Sequence, residues 1–220
     1  MAVPSTGASA DAPGIGGFDE TTEAGLGDLD KSRSTALGWE RLETSYPFDY
    51  HMFRVRKDLV RWPDGHVGPY AYVEGVGAVW VVPVTPEGDV ILIRQFRYTM
   101  DEWCWEVPAG GFHDFDGTPV ELARQELEEE VGGTSCDWCY IGSFRPGNSI
   151  LDETCHIVLA REVRLNRTPH REAGELIEVH TVPASKAVDM ARSGEIADGH
   201  SALALLRCAP HILVQSPTGE

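Results

Sequence analysis

The chain has 220 residues, 42% of them hydrophobic, enough length and apolar content for one good-sized core. Its 18 lysines and arginines stand against 35 aspartates and glutamates, a net charge of −17, so its surface repels phosphate backbones and anionic membranes; nucleic-acid polymers and membranes are excluded as partners, and small ligands remain. Five cysteines, no apolar signal segment and no run long enough to cross a bilayer point to a reducing cytoplasm.

In chain order, residues 1–35 are rich in Gly, Ala, Ser, Thr and Asp with almost no apolar periodicity, and are expected to be a disordered N-terminal extension. Residues 36–210 are expected to form one domain and 211–220 a flexible tail. The stretch YHMFRVRKDLVRW, 50–62, alternates apolar with polar residues, and the turn Pro63-Asp64-Gly65 predicts a hairpin returning along 68–73. GAVWVVPVTPEGDVILIRQFRY, 77–98, predicts two buried strands either side of Pro86-Glu87-Gly88. A short strand ends at Val107, and the loop PAGGFHDFDG leads into a helix from Thr118 to Val131. Thr118 is its N-cap and Pro119 opens its first turn; Val120, Leu122, Ala123, Leu127 and Val131 recur near helical spacing, and Gly132-Gly133 stop it. Cys136 and Cys139 form a CxxC with no second pair at zinc spacing and are read as ordinary thiols. Strands at 140–144, 154–159 and 176–182 and helices at 184–193 and 200–208 complete the chain. Strands outnumber helices, so the fold class is α+β, with helices packed on a mixed sheet.

The helix ARQELEEEVGG raises a chemical question. Glu126, Glu129 and Glu130 sit at i, i+3 and i+4 and share one face. Each like-charge pair costs roughly 0.2–0.5 kcal/mol, and carboxylates in the last turn oppose the negative end of the helix dipole. A solvated acidic face is one explanation. A hard divalent cation, Mg²⁺ or Mn²⁺, is the other, because it seeks oxygen ligands that such a face brings together.

Here the chain resembles the Nudix hydrolases, whose signature is G-x5-E-x7-R-E-U-x-E-E-x-G-U, U being a bulky aliphatic residue. Gly111, Glu126, Leu127, Glu129, Glu130 and Gly132 fall in register, whereas Gly117, Gln125 and Gly133 occupy the positions of the loop glutamate, the arginine and the closing aliphatic. IRQFRY, WEVPAG, RPGNSILDETCHIVLARE, LIEVHTVP and GEIADGHSALALL are similar, in that order, to the ADP-ribose pyrophosphatase branch, so the resemblance covers roughly residues 39–208.

That resemblance implies an α/β/α sandwich that hydrolyses a nucleoside diphosphate linked to another moiety, X. It implies a small-molecule substrate such as ADP-ribose, cleaved to AMP and a phosphorylated X. It also implies a homodimer whose N-terminal strands cross to the partner. Alternatives are an NAD-like or otherwise modified dinucleotide, a sugar nucleotide, or a non-catalytic nucleotide-binding sensor. Glu126, Glu130, the backbone carbonyl of Ala109 and Glu153 match metal-binding positions, with Glu129 beside them. Glu175, with Glu172 as the alternative, matches the loop that supplies the base. Arg94, Arg97 and Arg145 are candidates for the diphosphate and Glu106 for the nucleoside; for the arginines, an internal salt bridge to Glu106 or to the box glutamates is the competing explanation. Trp103, Trp105 and Phe144 could stack on adenine or simply belong to the core. Arg124 cannot replace the arginine missing at Gln125, since one residue turns a helix by about 100°. Asp114 and Asp116 lie close to the loop position emptied at Gly117.

Overall fold

The structure, a computed structural model, describes residues 31–113, 115–172 and 174–213. The expected extension and tail therefore fall mostly outside the described residues, as do Asp114 and Ala173. Within the expected extension, α1 (Ser32–Ala36) is a short helix.

Three antiparallel strands follow in the order β1 (Glu40–Tyr50), β2 (Phe53–Arg61), β3 (Val67–Gly75). β2 and β3 are the predicted hairpin; Trp62 N–H donates to the His66 carbonyl at 2.8 Å across its turn. β1 was not expected. Its sequence lacks clean alternation, every residue in it is exposed, and its register slips between Ser45 and Phe48, around Pro47, which cannot donate to a ladder.

The remaining elements are β4 (Ala78–Pro83), β5 (Asp89–Arg97), β6 (Glu102–Glu106), β7 (Ala109–Gly111), α2 (Pro119–Val131), β8 (Gly133–Thr134), β9 (Asp137–Phe144), β10 (Cys155–Arg161), β11 (Arg164–Leu165), β12 (Ile177–Pro183), α3 (Ala184–Ser193) and α4 (Gly199–Ile212). One sheet has the order β7-β4-β10-β9, with β4 and β10 parallel and the other pairs antiparallel; a second has the order β12-β5-β6. β4 and β5 meet only through the bridge Val84 to Val90 and then part. The turn between them is thus a corner between two sheets.

Period-two alternation sends each strand's side chains to opposite layers. Val79, Val81, Ile91, Ile93, Val158 and Ala160 pack with Leu122, Ala123, Leu127 and Val131 of α2. Val82, Val90, Leu92, Ile157 and Leu159 pack with Ala187, Val188, Ala204, Leu205 and Cys208 of α3 and α4. Fully burying each Val, Leu or Ile contributes about 1.5–3 kcal/mol, which fixes α2 against one face and α3–α4 against the other. The result is an α/β/α sandwich around mixed strands, as expected. Among the described residues no helix is long and apolar enough to cross a membrane.

Candidate active site

Local signals set the ends of α2. Thr118 N–H donates to Glu121 Oε2 at 2.8 Å and Glu121 N–H returns a bond to Thr118 Oγ1 at 3.3 Å, a reciprocal capping box. Gly132 ends the helix at φ 68°, where a Cβ would lie 2.2 Å from the Arg167 carbonyl oxygen. With its phase fixed by Leu122, Leu127 and Val131 in the core, the helix turns Glu126, Glu129 and Glu130 into a cavity of about 430 Å³.

Burial, then Glu129, Glu175 and Glu172, pushes the Glu126 carboxyl up to about 7. Burial, then Glu126 and Glu175, raises Glu130 well above its ordinary range, although the Ala109 N–H at 3.1 Å and Arg97 pull the other way. No cation acts on Glu126, and at Glu130 the pull of Arg97 is outweighed by burial and the neighbouring carboxyls. Gly110 makes their approach sterically possible, because a Cβ there would lie 2.0 Å from Glu126 Oε1.

The acidic loop docks against the end of the same helix. His170 N–H donates to the Glu129 carbonyl at 2.8 Å. Arg171 donates from Nε to the Glu130 carbonyl at 3.0 Å and from Nη1 to the Ile177 carbonyl at 2.8 Å. Arg171 thereby satisfies an orphan carbonyl and sets a cation at the negative end of the helix. Docking brings Glu172 and Glu175 to the cavity that Glu126, Glu129 and Glu130 line; Glu175 Oε2 accepts the Glu172 N–H at 2.8 Å.

Of the predicted cations, Arg97 lines this cavity and is tied to buried Glu106, its Nε donating to Oε1 at 2.8 Å and its Nη2 to Oε2. The predicted salt bridge to Glu106 is therefore made by Arg97. Arg94 lies outside, 3.8 Å from Glu178 and over the rings of Trp103 and Trp105. Arg97 and Ala109 also line a second cavity of about 720 Å³, together with Glu106, Arg145, Phe144, Trp80 and His200. Arg145 donates to the Asp152 carbonyl at 3.2 Å. Glu153 lines neither cavity; it packs against Gly75, and its half-buried carboxyl is raised by burial. Trp103 and Trp105 are likewise absent from both linings. Trp80, His200 and Arg171 escaped sequence reading, because each acts on a residue 30 or more positions away, and no local pattern marks such a pairing.

Among the described residues no group of three or more His, Cys, Asp or Glu side chains stands at ligand spacing. The cavity offers a buried carboxyl, Glu130, a half-buried one that it repels, Glu126, and the Ala109 backbone. That set suits Mg²⁺, which typically takes one or two carboxylates and completes its shell with water and substrate phosphate. Gln125 is exposed at the cavity lip and Arg124 points elsewhere, over the Trp138 ring at 5.5 Å. Gly117 is closed in by Phe115, 2.6 Å from where a Cβ would stand. Gly110→Ala should displace the Glu126 carboxyl and weaken Mn²⁺ binding about 10–100-fold, as read by Mn²⁺ paramagnetic resonance; unchanged affinity would exclude Glu126 as a ligand.

The NUDIX domain family model matches residues 76–202. The chain is 33% identical over 147 residues to an ADP-ribose pyrophosphatase of Bacillus subtilis (strain 168), covering 66% of this chain and 79% of that protein. It is 33% identical over 149 residues to an ADP-ribose pyrophosphatase of Mycobacterium tuberculosis (strain ATCC 25618 / H37Rv), covering 66% and 70%. A crystal structure described as an ADP compounds hydrolase shares the fold with a TM-score of 0.69 at 18% identity, covering 79% of this chain and 93% of that one.

Proposed function

The chain belongs to the Nudix family of hydrolases, and on that basis we propose that it hydrolyses the pyrophosphate bond of an ADP-ribose-like nucleoside diphosphate derivative, releasing AMP and a phosphorylated X such as ribose 5-phosphate. The observation that carries this reading is the convergence of Glu126, Glu129, Glu130, Glu172 and Glu175 on one cavity beside Arg97 and Ala109.

In this reading Glu126, Glu130 and the Ala109 carbonyl would hold Mg²⁺ or Mn²⁺. When bound, the cation neutralises diphosphate charge and acidifies the attacking water. Glu175 takes the proton from that water, with Glu172 next to it and Glu129 as a further acidic neighbour. The water oxygen forms a bond to one phosphorus as the bond from that phosphorus to the bridging oxygen breaks, and the leaving phosphate carries away the electron pair. Arg97, held rigid by Glu106, and Arg145 offer the diphosphate guanidinium donors. Arg94 and Glu153, outside both cavity linings, are assigned no step in this reading.

The test is incubation with Mg²⁺ or Mn²⁺ and ADP-ribose, NAD⁺, NADH, ADP-glucose or diadenosine diphosphate, following AMP by chromatography. AMP from ADP-ribose, abolished by EDTA, is expected; no product from any of the five would reject an ADP-ribose-like substrate in favour of a more specialised dinucleotide or nucleotide binding alone.

The same proposal includes a homodimer formed through the N-terminal sheet, supported by Phe48, Tyr50 and Phe53, which are exposed side by side, and by exposed Tyr46 on the same strand as Phe48 and Tyr50. Light scattering should give twice the 24.1 kDa chain mass, and Phe48→Asp should shift it toward the monomer. A monomeric wild type would end this part of the proposal. Free thiols at Cys104, Cys136, Cys139, Cys155 and Cys208 support a reducing cytoplasm as its compartment.

A further inference from the structure

The second cavity differs chemically from the acidic one that it adjoins. Its volume is about 720 Å³, and Arg97 and Ala109 line both. A substrate whose diphosphate lies among the glutamates therefore has this cavity within reach for one of its two ends. Here charges are close to balance: Arg97 is paired with Glu106 and His200 with Asp198, and the two remaining charged residues of the lining, Glu102 and Arg145, are of opposite sign. A charge-balanced cavity beside a strongly acidic one suits an uncharged group.

Its wall is aromatic. The His200 ring stacks on Trp80 with centroids 4.5 Å apart and planes 13° from parallel, and Phe144 lies 5.5 Å from the same imidazole. A chain of hydrogen bonds fixes that imidazole. Its Nδ1 meets Asp198 Oδ1 at 3.3 Å, and Asp198 Oδ2 accepts the Ser201 N–H at 2.8 Å, capping α4. Ser201 Oγ in turn accepts the Val107 N–H at 3.1 Å, two residues before Ala109. The ring is thus tied to the loop that borders both cavities.

With Nδ1 engaged, Nε2 is the nitrogen left for a ligand, a donor when the ring is charged and an acceptor when it is neutral. A hydroxyl answers either state, being both donor and acceptor itself. The hydrogen bond to Asp198, with Glu153 and Glu106 nearby, favours the charged ring against its burial.

Building on the hydrolysis proposed above, we propose that His200 is a specificity-determining residue that reads a hydroxyl of the substrate's ribosyl group through Nε2, while the Trp80 and Phe144 rings pack against the sugar's C–H face. Both halves of ADP-ribose carry a ribosyl group, so the experiment has an arm for each.

Two variants separate hydrogen bonding from packing. His200→Phe keeps a flat ring over Trp80 and removes both nitrogens; His200→Gln loses the ring and keeps a donor and an acceptor. For ADP-ribose, His200→Phe should raise KM about tenfold with kcat changed less than about threefold, and His200→Gln should raise KM less. The opposite order, Phe tolerated and Gln damaging, would show that the residue only packs and would overturn the proposal. Equilibrium dialysis of the full chain in EDTA, with ribose 5-phosphate and with AMP, requires no turnover and so stands even if hydrolysis fails. Weaker ribose 5-phosphate binding by His200→Phe, with AMP unchanged, places the X ribosyl here; weaker AMP binding alone places the nucleoside ribosyl here. Unchanged binding of both would overturn the proposal.

Discussion

Glu130→Gln is expected to lower kcat/KM for ADP-ribose by about 10³-fold or more while leaving the fold intact. The side chain is 4% exposed and accepts the Ala109 N–H at 3.1 Å. An amide oxygen accepts the same bond in the same volume, so packing is kept and only the ionisable charge is lost. Because burial and the neighbouring Glu126 and Glu175 raise this carboxyl well above its ordinary range and so favour its uncharged form, glutamine imitates that form. Calorimetry in EDTA at pH 8 should therefore show a Tm no lower than wild type. A variant retaining more than about a tenth of the wild-type rate would remove Glu130 from the catalytic machinery.

Gln125 stands where an arginine would orient the box carboxylates, and it is exposed at the lip. Orientation here comes from the backbone instead. The Ala109 N–H holds Glu130, Gly110 leaves room for Glu126, and Arg171 anchors the loop on the Glu130 carbonyl. These contacts hold Glu126 and Glu130 in place without the arginine that the signature has at Gln125.

How far each feature could be read from sequence follows the distance between the residues that make it. The ends of α2 were legible because Thr118, Pro119 and Gly132 act on their own neighbours. β4 and β5 were legible as buried runs, yet their assignment to different sheets was not, since β4 takes β10 and β7 as partners and β5 takes β12 and β6. β1 was missed because its pairing with β2 overrides a sequence with little intrinsic alternation. Within the site, the acidic face of α2 could be read from spacing, whereas the placing of Arg171 depends on a contact 41 residues away. His200 on Trp80 is the extreme case, a stack between the start of α4 and the middle of β4. Arg94 and Arg97 look equivalent in IRQFRY, but three residues apart on a strand they face opposite sides. Arg97 thus reaches Glu106 and the cavity, while Arg94 lies over tryptophans.

Stability without a cation is expected to fall as pH rises from about 4.5 to about 7, and Mg²⁺ is expected to restore it most strongly above that range. Below 4.5, Glu126 is protonated in both folded and unfolded chains and contributes no difference. Between 4.5 and about 7 the unfolded chain loses this proton while the folded chain keeps it, so the folded state binds more protons and each increment of pH favours unfolding. Above about 7 the full cost is reached, about 3 kcal/mol for Glu126, with Glu130 acting in the same direction. For a chain of this size that corresponds to a Tm lower by roughly 6–12 °C at pH 8 than at pH 4.5. Asp198, held at about 2 by His200 and Ser201 against its burial, acts in the reverse sense and lower on the scale, its stabilisation being lost as pH falls below 3.8. The two windows do not overlap. Mg²⁺ must displace the protons that the pair retains, so its stabilising effect should be larger at pH 8 than at pH 6. Scanning calorimetry of wild type and Glu126→Gln/Glu130→Gln, in EDTA and in Mg²⁺, isolates the pair: the double variant should flatten the fall between pH 4.5 and 7 and respond little to Mg²⁺. A wild type whose Tm rises over that interval in EDTA, or a double variant that gains as much from Mg²⁺ as wild type, would show that these carboxyls neither store the repulsion nor receive the cation.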